Sequence, residues 1–122
     1  MLKNLSYNNE NIKNEINTLI GKPYSLIEII KKGGIGSNKL LITKADKEIE
    51  NLLLLDQNIN HCNIELRIDG IIIYFRSLLE TYGLVIPYYK LVVFKVSEYE
   101  YTFNVDNKYL KIQVKSKKDH SF

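Results

Sequence analysis

The chain is 122 residues long, 45% hydrophobic and 25% charged, with a formal net charge of +3. That length suits one domain and is short for two, and so much apolar material excludes a disordered chain. A single cysteine, Cys62, excludes an intramolecular disulfide framework, and no run approaches the roughly 18 apolar residues of a spanning helix, so a cytoplasmic location is expected.

Ile12, Ile16, Leu19 and Ile20 recur at helical spacing and predict an amphipathic helix over residues 8–20, stopped by Gly21 and Pro23. Ser25 and Glu28 have capping-box spacing, so Leu26, Ile27, Ile29 and Ile30 read as a second short helix ended by Gly33 and Gly34. Residues 1–38 thus form a helical N-terminal part. A short strand is expected at 39–43. Two readings stay open for residues 46–55: a helix capped by Asp46 that buries Ile49, Leu52 and Leu53, which we favour, or a buried strand at 52–55.

From residue 63 the period changes to two. Ile64, Leu66 and Ile68 alternate with Glu65 and Arg67, and Asp69-Gly70 is a hairpin-turn signal. The predicted register sets Ile68 opposite Ile71, Leu66 opposite Ile73 and Ile64 opposite Phe75. Tyr82, Leu84 and Ile86 then pair back on Phe75, Ile73 and Ile71. A turn at Ser97-Glu98 sets Phe94 opposite Tyr101 and Val92 opposite Phe103. A last turn at Asn107-Lys108 sets Val105 opposite Leu110, Phe103 opposite Ile112 and Glu100 opposite Lys115. The predicted fold class is α+β: one domain over 1–122, with N-terminal helices followed by a curled antiparallel β-meander of about six strands across 63–115. Its second face carries Ile72, Tyr74, Val85, Leu91 and Val93. An apolar patch of that kind needs a cover, either the N-terminal helices or a second copy of the chain, which makes Ile72, Val85, Leu91 and Val93 the candidate interface.

Few residues combine into chemistry. The glycines at 33, 34 and 36 before Lys39 lack the spacing of a phosphate-cradling loop. His61, Cys62 and His120 do not make a zinc set, and no acid–base pair or nucleophile emerges, so no enzyme, metal or cofactor is predicted. Arg67 and Arg76 are the only arginines among many lysines. Both project from the reverse face of the first hairpin near Glu65, Tyr74 and Glu80, either as an anion-binding group or as partners in a surface ion pair. Tyr88-Tyr89 lacks the basic groove of a single-stranded nucleic-acid platform, so nucleic acid is not an expected partner. Lys115, Lys117 and Lys118 form a basic tail suited to solvent or to an anionic lipid surface.

The run Gly70–Arg76 followed by 82–95, with Ile86-Pro87-Tyr88-Tyr89-Lys90-Leu91 leading into the next strand, resembles bacterial pleckstrin-homology-like domains of the pleckstrin-homology and GRAM group. The resemblance covers about residues 63–115. It implies a curled, barrel-like antiparallel sheet, no catalysis, and binding of lipids, peptides or sister subunits. Those domains close with a C-terminal helix that residues 116–122 do not supply, and no family binding residue transfers. The expected function is a non-enzymatic interaction module that self-associates as a homodimer or docks on another protein. The alternative is a small-ligand or anionic-lipid binder using the Arg67/Arg76 face or the basic tail.

Overall fold

Eight strands make one antiparallel sheet in the order β1-β5-β4-β3-β2-β8-β7-β6. They are β1 (Leu2–Asn4), β2 (Leu40–Ala45), β3 (His61–Arg67), β4 (Gly70–Ser77), β5 (Glu80–Pro87), β6 (Val92–Ser97), β7 (Glu100–Val105) and β8 (Lys108–Gln113). Helix α1 (Glu10–Ile20) lies between β1 and β2, helix α2 (Lys47–Leu54) between β2 and β3, and a one-turn 3-10 helix (Tyr88–Lys90) between β5 and β6. This computed structural model describes residues 1–6, 9–24, 40–54, 61–77, 80–97, 100–106 and 108–113. The second predicted helix, the glycine-rich loop and the basic tail lie outside those residues.

The helix-led fold with a six-strand meander is overturned. Among the described residues 59% are in strands and 26% in helices. Nor is the meander continuous: β3-β4-β5 and β6-β7-β8 are two separate three-stranded runs, and β2 is inserted between β3 and β8. Leu40, Ile42 and Ala45 of β2 are buried, so this weakly marked strand completes the core. The chain leaves the first run at Pro87. Tyr88 donates its N–H to the Asp69 carbonyl at 2.9 Å, and Leu91 donates to the Tyr88 carbonyl, so the backbone turns away from β5 instead of folding back on it.

The sheet is rolled, and simple lengths show it. Leu84 and Ile86 of β5 share one buried cluster with Leu110 and Ile112 of β8, four positions away in strand order. A flat sheet would hold those strands about 19 Å apart. Likewise Pro87 ends β5 and Val92 starts β6, six positions away. That is about 29 Å on a flat sheet, whereas five residues reach at most about 18 Å fully extended. The two ends of the sheet therefore approach each other, and its inner face wraps a core that α2 completes with Ile49 and Leu53.

The helices follow their sequence signals. Asn9 caps α1, its side-chain oxygen accepting from the N–H groups of Asn11 (3.0 Å) and Ile12 (3.2 Å). Gly21 ends it at φ +91, a left-handed conformation open to glycine. Ile16 and Ile20 bury against Ile72 and Val85, which face each other across β4 and β5 on the outer side of the sheet. Of the two readings for residues 46–55, helix holds. Asp46 accepts from the N–H of Ile49 at 3.5 Å and, across the molecule, from the N–H of Tyr109 at 2.9 Å.

Three hairpin registers need correction, while the β4–β5 register is as predicted, with Phe75 opposite Tyr82, Ile73 opposite Leu84 and Ile71 opposite Ile86. In β3–β4, Leu66 faces Ile71, Ile64 faces Ile73 and Cys62 faces Phe75, a shift of two residues. Ile68-Asp69 is the loop, and Gly70 already belongs to β4. A Cβ on Gly70 would stand 2.4 Å from Ile20 Cγ2 and 2.5 Å from the Ile86 carbonyl oxygen, so this glycine permits close packing of α1 and β5 rather than a turn. In β7–β8 the shift is again two: Phe103 faces Leu110 and Tyr101 faces Ile112, with Asp106 at φ +52 in the turn. In β6–β7 Val93 faces Phe103 and Phe94 faces Thr102, one residue from the prediction, with an irregularity between Lys95 and Ser97. A two-residue shift preserves which side chains point inward; a one-residue shift reverses it.

Candidate interaction surface

The first hairpin's reverse face does gather Arg67, Glu65 and Tyr74. Arg67 is only 7% exposed, and its guanidinium is occupied. Nε donates to Glu65 Oε2 at 2.5 Å, and Nη1 donates to the Gly21 carbonyl at 2.9 Å and to Asn17 Oδ1 at 3.4 Å. The cation sits at the C-terminal end of α1, where the helix carbonyls present partial negative charge. Tyr74 donates its hydroxyl to Glu65 Oε1 at 3.4 Å. Burial, with the neighbouring Glu65 carboxylate adding to it, pushes the Tyr74 phenol up to about 12. Of the two roles open to Arg67, the ion pair is the one present, and the residue clasps α1 to β3. Arg76 lies apart, exposed near the end of β4 and opposite Thr81.

The candidate interface divides. Ile72 and Val85 are fully covered by α1, Leu91 packs against the inner core, and Val93 stays 45% exposed on β6. They do not form one patch, because Ile72 and Val85 lie on the outer face under α1 whereas Leu91 and Val93 lie on the inner side with Phe103. His61 is half-buried at the start of β3 and Cys62 is buried beside it. Among the described residues no three His, Cys, Asp or Glu side chains gather as a metal site.

Among the described residues, consecutive large apolar side chains are exposed along one strand, which includes Val93 of the candidate interface. Along β6, Val92 is 47%, Val93 45% and Phe94 58% exposed. Val92 and Phe94 share the outer face with Asn104 and Thr102 of β7, while Val93 and Lys95 share the inner face with Phe103 and Tyr101. β6 pairs with β7 on one side, and no described strand pairs with the other. On that side its backbone groups, which have no strand partner among the described residues, are flanked by apolar side chains on both faces. Lys95 is the charge on this stretch, held with Nζ 6.0 Å from the centre of the Tyr101 ring. Tyr89, 76% exposed in the 3-10 turn, extends the surface towards α1.

The opposite edge is guarded. β1 is three residues long, Lys3 pairs with Glu15 at 3.7 Å, and the Asn4 side-chain amide donates to Glu80. Short length and charged or committed side chains are the usual protections of a sheet edge, and β6 lacks them from Val92 to Phe94. The sequence signal was the unbroken triplet Val92-Val93-Phe94, since a strand apolar on both faces calls for cover on both. Comparison with protein-family models, with curated proteins and with solved structures finds no match for this chain.

Proposed function

We propose that the chain is a non-enzymatic interaction module that accepts an extended polypeptide segment along the free side of β6. The observation that carries this reading is an edge strand that has no partner on one side among the described residues and exposes apolar side chains on both faces. Strand addition uses both features, since main-chain hydrogen bonds supply affinity and alternate side chains supply selectivity. The Arg67/Arg76 face supports an anion-binding role less well, because the Arg67 guanidinium is already engaged by Glu65, Asn17 and Gly21. The test uses two six-residue peptides, one copying residues 91–96 and one alternating Val and Thr, each with a counterpart N-methylated at alternate residues. The unmethylated peptides should slow amide exchange at Val92–Lys95, and the methylated ones should not. Exchange at β6 that no peptide alters at concentrations on the order of 1 mM would refute the reading.

A further inference from the structure

We infer that the occupant of the free β6 edge is a second copy of this chain, the two β6 strands pairing antiparallel about a two-fold axis at Val93; this rests on the strand-addition reading above. Three observations select that arrangement. First, the two edges of the sheet are unlike. Pairing β6 with another copy's β1 would be a head-to-tail contact that builds rings or fibres, and β1 is too short and too polar to accept it, its Lys3 and Asn4 being held by Glu15 and Glu80. Pairing β6 with β6 closes after two copies.

Second, the extended stretch is bounded. Leu91 is extended at φ −77 and ψ 125, and the ladder irregularity follows Lys95. Val93 is the centre of the five residues between them. An axis there sets Val93 against Val93, and Val92 against Phe94 twice, so the exposed apolar side chains cover one another.

Third, the charges decide between neighbouring axes. With the axis at Val93 the two Lys95 residues lie four positions apart along the seam, about 14 Å and beyond the Debye length in physiological salt. Moving the axis to Phe94 halves that distance, and moving it to Val92 sets Lys90 against Phe94. A seam this short lies at the small end of specific interfaces, so association should depend on concentration.

The experiment measures mass by light scattering across a dilution series of the full chain, alongside cysteine variants treated with an oxidant. The wild type should pass from monomer to dimer and no further. Val93→Lys should weaken association by about tenfold or more, with helix and sheet signals unchanged because Val93 is already half exposed. Val93→Cys should form a linked dimer faster than Val92→Cys, Phe94→Cys or Lys95→Cys, since a two-fold axis brings only the residue on it against itself. The native Cys62 thiol is buried and pushed up to about 12 by desolvation, which keeps it out of the reaction. If Val93→Lys fails to fold, the cysteine series still reads the pairing. A wild type that remains monomeric at about 1 mM overturns the dimer, while peptide binding at β6 would leave the strand-addition reading standing. A dimer indifferent to β6 substitutions, with no preferred cysteine position, overturns the β6 dimer, and unaltered β6 exchange with every peptide would separately overturn strand addition.

Discussion

Arg67 shows how a residue that looks like a ligand group from sequence becomes a clasp in three dimensions. Its guanidinium is nearly buried and joins three partners from two elements: Glu65 on its own strand, and Asn17 and Gly21 at the end of α1. Replacing it with alanine leaves the Gly21 carbonyl and the Glu65 carboxylate without this donor. Hydrogen bonds to charged groups contribute about 1.5–3 kcal/mol, so Arg67→Ala should lose roughly that much in chemical denaturation, and Arg67→Lys should recover only part because one ammonium cannot span the fork. An Arg67→Ala variant as stable as wild type would show that the clasp contributes nothing.

Nearby, Tyr74 ties stability to pH. Its phenol is pushed up to about 12 against an ordinary value of 10.0, and the buried Cys62 thiol to about 12 from 9.0. Both groups keep their protons longer in the folded chain than in the unfolded one. Their contributions are fully present below about pH 9 and are lost as pH rises towards 12, where the unfolded state sheds protons first. Urea melts at stepped pH should therefore show a fall across that range, shallower in Tyr74→Phe. Identical slopes in the two proteins would remove Tyr74 from the account.

At the scale of elements, the turns separate what the sequence states from what only packing decides. Alternation in 63–76 and 100–113 located the strands and the inward set, because period two needs no knowledge of partners. The β3–β4 turn was misplaced because Gly70 was read for its backbone freedom, whereas its missing side chain makes room for Ile20 and the Ile86 carbonyl. Gly70→Ala should accordingly cost on the order of 2 kcal/mol or more, as overpacking does, while Ile68→Lys, at 65% exposure in the loop, should change little. Thermal melts of the two variants check this, and equal effects would restore the turn reading. The β6–β7 slip had another cause. With apolar residues at 92, 93 and 94, neither face of β6 was marked, so the pattern could not fix its register. The candidate site was legible only in part: Val93 was marked as an apolar residue in need of cover, but its position at a sheet edge was not. Strand order places Val93 at an edge, and nothing local in the sequence reports strand order.

At the scale of the molecule, the sheet is two four-stranded halves meeting at β2 and β3, where among the described residues Leu40 pairs with Cys62 and Leu41 with His61. Whether the halves are independent is decided by the core. Ile64, Ile73 and Leu84 from one half and Leu110 and Ile112 from the other fill a single buried cluster, together with Ile49 of α2. Parting the halves would expose side chains that each stabilise the fold by roughly 1.5–3 kcal/mol when buried, against about 0.5–1.5 kcal/mol for each hydrogen bond at the seam. The whole should unfold as one unit. Leu110 is fully buried in β8, and Leu110→Ala should cost about 2–5 kcal/mol. In a cooperative molecule that loss appears everywhere the slowest amides report global opening, including Ile71 to Phe75 of β4 in the opposite half. Native-state hydrogen exchange on Leu110→Ala should therefore lower protection in β4 and β8 by the same amount. If β8 alone lost protection while β4 kept its wild-type rates, the halves would be separate folding units and the rolled core only a contact between them.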